Sequence, residues 1–476
     1  MNLTLFAIQK AARGELLQGQ TAEKIHGVSI NSRNIKSGDL FIAIPGKRFD
    51  GHDFVREAVD RGARAIVISK SIRQLNHRKS GHYSHSIGHN GYSRVPIIRV
   101  PDTTRALGDI ARMYRNQFAI PVIAITGSAG KTTTKEMIAH ILQARYRVLK
   151  NEGTENNQIG VPLTLLKLRP DHEIVVIEVG TNQPGDIRWL TYVANPTMVM
   201  MTNIGESHLE LLKNPRDVFK EKFELVKRME KKGQVIINSD DEYLKKIPAL
   251  VNEHVVLTYG VHNPADYQAS AIQIRQQEIS FLVNRQYPVI LKTPVIKNVY
   301  NAMAAISCAR LFRIGFDTIR QRLEGLHYAE RRQALKKVKG FWIIDDTYNA
   351  NPVSFRSAIE TLNTFRTPGR KILVCGDMLE LGKSASHLHR SMGELAACAN
   401  LDLILTYGHF SQSLSRAAGT KNPHIHTFHY HQLAAIHRKL QNYCRPGDVV
   451  LVKGSRGMRM ERTVDFLVQQ LRQKKG

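Results

Sequence analysis

At 476 residues, with 42% hydrophobic and 23% charged positions, the chain has a globular composition and enough length for about three domains. Its four cysteines show no CxxC or paired metal spacing, and no apolar run approaches the ~18 residues of a membrane span, so disulfides, zinc and membrane insertion are not expected and a cytoplasmic setting is. The formal net charge of +27 invites nucleic acid as a partner, but Lys and Arg are scattered along the whole chain without a zinc-finger, basic-zipper or aromatic-interleaved pattern, and no specific nucleic-acid site is expected. A positive field draws in a polyanionic small substrate equally well.

From Gly27 to Ser69 turn signals alternate with short apolar runs such as Asp39–Ile44 and Ala65–Ile68, which predicts a small N-terminal α/β domain over 1–105. Residues 70–94 interrupt it with Ser, Gly, Arg and His77, His82, His85 and His89, read as a solvated polar insertion, with a metal site at the last three as the alternative. A helix is expected from Ala106 to Phe118, leading into a central domain over 106–328. There the runs Val122–Ile125, Ile174–Val179, Met198–Met201 and Val235–Ile237 predict a mostly parallel sheet covered on both faces. Met137, Ile138, Ile141 and Leu142 should line the sheet-facing side of a helix, and the alternation from Glu278 to Ile290 predicts antiparallel strands. A third domain, 329–476, carries strands at Phe341–Ile344, Lys371–Cys375, Leu403–Leu405 and Val449–Val452. It reads as dinucleotide-fold-like but lacks GxGxxG, so NAD is not expected. The fold class is therefore α/β in three domains, with a central P-loop-type sheet.

The segment Thr126-Gly127-Ser128-Ala129-Gly130-Lys131-Thr132-Thr133 follows a strand and opens a helix, the arrangement that cradles phosphate. Glycine-rich backbone brings N–H groups to the anion, Lys131 adds a point charge, and the Thr132 hydroxyl is placed for Mg2+. Ile125 stands where the strict P-loop has glycine, so the loop is a shortened variant, and an ordinary strand-to-helix turn is the alternative. Glu178 ends one strand and His208 follows another. Each alone reads equally as a salt-bridge partner or a structural histidine, but together, beside a phosphate loop, they suit a cation that needs ligands beyond the phosphates.

These segments resemble the Mur ligase family of ATP-dependent amide-forming enzymes. The resemblance runs from Val28-Ser29-Ile30-Asn31-Ser32-Arg33 through the phosphate loop and Glu178, Gly180 and Asn182 to Lys453-Gly454-Ser455-Arg456. Asn156–Pro162, Asp345–Pro352 and Gly376–Gly382 are similar to the branch that adds D-alanyl-D-alanine. The resemblance implies ATP with two Mg2+ ions and the substrates of that branch, UDP-MurNAc-tripeptide and D-Ala-D-Ala, and a monomer is expected. It implies catalytic roles for Lys131, Glu178, His208 and a carbamylated Lys222, with Thr132, Glu178, His208 and Lys222 at the metals. Asn298 and Asn301 fall at the adenine, with helix capping as the alternative, Arg332 at the phosphates and Asp346 at the ribose. Ser32 and Arg33 match the uridine end, Asn156 and Asn157 fall to the substrate, and Lys453 and Arg456 to the dipeptide carboxylate unless they form a surface basic loop. The family usually has aspartate at Asn31, histidine at Lys297 and glycine at Arg331. A sister ligase adding one amino acid, or glutamate to a folate, and a P-loop NTPase acting on nucleic acid are the competing readings.

Overall fold

Strands covered on both faces must be apolar throughout, and Val122–Thr126, Ile174–Glu178 and Met198–Met201 are buried at every position. The computed structural model describes residues 3–71, 95–275, 277–338 and 340–473. The four histidines of the 70–94 insertion lie outside the described residues.

The first strands are β1 (Leu3–Thr4), β2 (Glu15–Gln18), β3 (Lys24–Ile25), β4 (Gly27–Ser29), β5 (Asp39–Ile42), β6 (Ala65–Ile68) and β7 (Ile97–Arg99). β4 to β7 pair in parallel in sequence order and β2 joins β7 antiparallel, while β1 pairs with β3 apart from them. The following helix spans Thr103–Arg115 rather than Ala106–Phe118. Asp102 starts it early by accepting from the amides of Thr104 and Arg105. The buried Arg115 guanidinium then donates to the carbonyls of Phe118 and Ala194, turning the chain away from the helix.

The central strands are β8 (Val122–Thr126), β9 (Val148–Lys150), β10 (Ile174–Glu178), β11 (Met198–Met201), β12 (Gln234–Asn238), β13 (Val255–Gly260), β14 (Tyr267–Ile274), β15 (Ile279–Val283) and β16 (Tyr287–Leu291). They form one sheet in the order β16-β15-β14-β13-β12-β11-β8-β10-β9, parallel from β9 to β14, with the last two strands antiparallel as the alternation predicts. Met137, Ile138, Ile141 and Leu142 are fully buried beneath it on the helix Lys131–Leu142. Strand order reverses around β8, between β10 and β11, and such a switch point opens a crevice at the carboxyl ends.

The last strands are β17 (Ala334–Val338), β18 (Phe341–Asp346), β19 (Lys371–Gly376), β20 (Leu403–Tyr407), β21 (His426–Tyr430) and β22 (Val449–Lys453). Their order is β17-β18-β22-β19-β20-β21, parallel except for β17. β17 and β21 are absent from the sequence reading because both are edge strands with polar residues, so neither carries a continuous apolar run.

Candidate active site

The turn after β8 is built by backbone that only glycine adopts without strain. Gly127 has φ +151° and a Cβ there would lie 2.0 Å from Thr202 Oγ1; Gly130 has φ +82° and a Cβ would lie 2.5 Å from Asn301 Oδ1. Gly130 caps the helix Lys131–Leu142 without any side-chain hydrogen bond, which leaves the first-turn amides and the positive end of the dipole for an anion. Asn203 secures the loop: its carbonyl accepts from Ser128 N and its side chain accepts from Ala129 N, both at 2.9 Å. Lys131 Nζ donates to Gly127 O at 2.8 Å, and burial, with repulsion from Arg332, lowers its pKa against the opposing pull of Glu178.

Thr132 Oγ1 donates to Glu178 Oε2 at 2.5 Å, and Asn156 Nδ2 donates to the other carboxylate oxygen at 2.6 Å. Asn151 holds the Glu178 backbone from both sides, N–H and carbonyl, so the carboxylate at the end of β10 is fixed in direction. On the far side, Asn298 and Asn301 lie inside the helix Lys297–Leu311 and do not cap it. Asn301 Nδ2 donates to Asn298 Oδ1 at 2.9 Å, and Asn301 Oδ1 accepts from Thr134 Oγ1 at 3.2 Å, which ties that helix to the phosphate-loop helix.

The C-terminal sheet supplies the opposite wall. Arg332 lies over the ring of Tyr348, 4.0 Å from its centroid, and the Tyr348 hydroxyl pairs with Thr154 Oγ1. Asn351 caps the helix Pro352–Thr364 and reaches across to donate to Ser128 O at 3.1 Å. His208 Nδ1 lies 2.8 Å from Glu380 Oε2. The cleft so enclosed measures about 370 Å³ and is lined by both sheets, from Ser128–Thr133, Glu178 and His208 to Arg332, Asp346, Glu380 and Lys453. One face of it presents the glycine-rich turn and the helix start, and the other a cation, an aromatic ring and a carboxylate.

Three consecutive segments match family models: Mur ligase family, catalytic domain, over 24–115; Mur ligase middle domain over 125–309; and Mur ligase, glutamate ligase domain, over 330–456. The chain is 32% identical to the UDP-N-acetylmuramoyl-tripeptide--D-alanyl-D-alanine ligase of Bacillus subtilis over 98% of both chains. The chain belongs to the Mur ligase family. Among solved structures it is similar to MurF from Acinetobacter baumannii, with a TM-score of 0.87 and 29% identity over 98% of this chain and 99% of that one. MurF from Thermotoga maritima in complex with ADP matches with a TM-score of 0.81 and 28% identity, over 94% and 98%.

In this Mur ligase the residues read from the sequence divide by position. Those of the loop, with Asn156, Asn157, Glu178, His208, Asn298, Asn301, Arg332, Asp346 and Lys453, line the one cleft; Ser32, Arg33, Gly127, Lys222 and Arg456 are not among its lining residues. Ser32 is buried and donates to Glu57 Oε2 at 2.8 Å, whereas Arg33 is exposed. Asn157 spends its side-chain oxygen on the amides of Ile159 and Gly160. Lys453 and Arg456 do not form a common surface loop: Lys453 is fully buried, donating to Asp346 Oδ2 at 2.6 Å and Asn349 O at 3.1 Å, while Arg456 is exposed beside Glu461.

Lys222 is buried on the helix Pro215–Lys227. Burial and the nearby Lys131 charge hold its pKa well below the ordinary lysine range, opposed by Glu221 and Glu178. Glu221 itself accepts from the amides of Gly185 and Ile187, and among the described residues Lys222 forms no ion pair. Hydroxyl and carboxylate oxygens at Thr132 and Glu178 fit a Mg2+ ion that retains phosphate and water ligands. Among the described residues no cluster of three His, Cys, Asp or Glu side chains forms a protein-only metal cage. Asn203, Thr154, Tyr348, Asn351 and Glu380 are site residues that sequence reasoning did not assign a role. The only signal for Asn203 is its place just beyond β11, at a carboxyl edge.

Proposed function

We propose that this chain joins D-alanyl-D-alanine to UDP-N-acetylmuramoyl-tripeptide with hydrolysis of ATP to ADP and phosphate, forming the pentapeptide precursor of peptidoglycan. The observation that carries this reading is the single cleft in which the phosphate loop and the Thr132–Glu178 pair face Arg332 and Asp346, in a chain whose near-full-length relative in B. subtilis is a ligase of that name.

The terminal carboxylate of the tripeptide attacks the γ-phosphorus of ATP, forming an acyl phosphate and releasing ADP. The D-Ala-D-Ala amine then attacks the acyl carbon, loses a proton and expels inorganic phosphate as the amide forms. Lys131 and the free amides of the helix Lys131–Leu142 stabilise charge on the transferring phosphoryl group. Asn298 and Asn301 face the adenine, Asp346 the ribose and Arg332 the phosphates. Thr132 and Glu178 would hold Mg2+, which neutralises phosphate charge when bound. His208 and Lys222 would serve a second ion.

Burial disfavours the ammonium form of Lys222; a neutral amine is a nucleophile toward carbon dioxide, and its carbamate is an oxygen donor where an ammonium is not, which supports carbamylation. Ser32 and Arg33 serve the uridine end, Asn156 orients Glu178 beside the substrate and Asn157 shapes the adjoining turn, and the exposed Arg456, beside Glu461, meets the dipeptide. The domain divisions are put at about residues 105 and 328 and the setting in the cytoplasm, and a cleft lined within one chain supports a monomer. Mass analysis of the product from ATP, Mg2+, UDP-MurNAc-tripeptide and D-Ala-D-Ala tests the reading: a gain of one dipeptide supports it, and a product extended by a single amino acid in parallel reactions, with none from the dipeptide, overturns it.

A further inference from the structure

The contact between His208 and Glu380 joins two segments held in unusual backbone. His208 has φ 54° and Glu380 φ 64°, the left-handed region that non-glycine residues seldom occupy. Glu210 N donates to Glu380 O at 3.0 Å, so the main chains are bonded as well as the side chains. Gly382, at φ +54°, admits this approach, since a Cβ there would lie 3.1 Å from Glu210 Cα. The loop after β11 and the loop after β19 are thus fastened at two points, one of them between side chains that both line the cleft.

An imidazole has two different nitrogens, and the partner of one decides what the other can do. A carboxylate only accepts, so Glu380 Oε2 at 2.8 Å pairs with the tautomer that carries its proton on Nδ1, and in the neutral ring of that tautomer Nε2 carries the lone pair. Both side chains line the cleft.

We infer that Glu380 is a positioning residue: reaching from the C-terminal sheet, it fixes the ring and tautomer of His208, so that the histidine's place in the cleft is complete only when the two sheets are docked. The inference rests on the reading of His208 as a residue of the metal side. It accounts for a short glycine-assisted clasp at a point where packing alone offers little, because the Glu380 side chain is 57% exposed. That exposure also means that truncating it leaves the core intact.

The test compares Glu380→Ala, Glu380→Gln, His208→Ala and the Glu380→Ala/His208→Ala double variant of the full chain. ADP affinity is measured by titration calorimetry across a Mg2+ series, beside kcat and the Mg2+ dependence of turnover. Glu380→Ala should raise the Mg2+ concentration for half-maximal effect by about 10–100-fold, the usual loss when an outer partner of a ligand is removed. Glu380→Gln, whose amide oxygen still accepts the Nδ1 proton, should recover most of it, and the double variant should be no worse than His208→Ala alone. A wild-type Mg2+ dependence in Glu380→Ala, with a clear shift in His208→Ala, overturns the positioning role and leaves the reading of His208 standing. An unshifted dependence in both variants overturns the reading of His208, and the inference with it.

Discussion

Replacement of Lys453 by Met tests whether the nucleotide wall is held by a buried ion pair. Lys453 is 0% exposed and the Asp346 side chain 10%, with 2.6 Å between Nζ and Oδ2. Methionine keeps much of the bulk, so the change is chiefly electrical: Asp346 remains buried without its cation. Breaking such a pair from one side costs about 3–5 kcal/mol, against 0–1 for an exposed pair. For a unit of about 150–250 residues, roughly 2–4 °C of melting temperature is lost per kcal/mol, so the transition that reports the C-terminal sheet should fall by about 6–20 °C. Hydrogen exchange of the β18 and β22 amides, paired across Asp346 and Lys453, locates the loss. Lys453→Met/Asp346→Leu should recover much of it, because no charge is then left buried alone. A loss below about 1 kcal/mol in the single variant would refute the reasoning.

Three further outcomes follow from the same geometry. Lys131→Ala should lower kcat about 100-fold or more, the scale of one lost transition-state contact, and near-normal turnover at saturating ATP would remove Lys131 from the reaction. Lys222→Ala should lose most activity and regain part of it with short carboxylates, which replace the carbamate oxygens; full activity without them counts against carbamylation. Asp50 is pushed up by burial but pulled further down by Lys70 and His52, leaving its carboxyl below the ordinary 3.8. A depressed folded-state pKa stabilises above the unfolded value and loses that contribution as pH falls through the folded one, so Asp50→Asn should be less stable at neutral pH and flatten the acid side of the stability profile. Equal acid profiles would contradict the pairing.

The phosphate loop was legible because its information is local: a strand, two glycines at positive φ and a lysine at a helix start lie within ten residues of sequence. The buried strands were legible for the same reason, each being a run of consecutive apolar residues. β17 and β21 were not, since an edge strand faces water and carries lysines or histidines. Nor could sequence show that Lys453, one of many basic residues, is the fully buried partner of Asp346 more than a hundred positions away. Asn203, Tyr348 and Glu380 acquire their roles only when separate sheets meet, and Asn298 and Asn301 are distinguished from helix caps only by the bonds they make with each other and Thr134.

The central claim is tested most directly by phosphate release from ATP, measured with UDP-MurNAc-tripeptide present and D-Ala-D-Ala added or withheld. The account predicts dipeptide-dependent release, matched one to one by pentapeptide product. Release indifferent to the dipeptide, or stimulated instead by RNA or DNA, would contradict it.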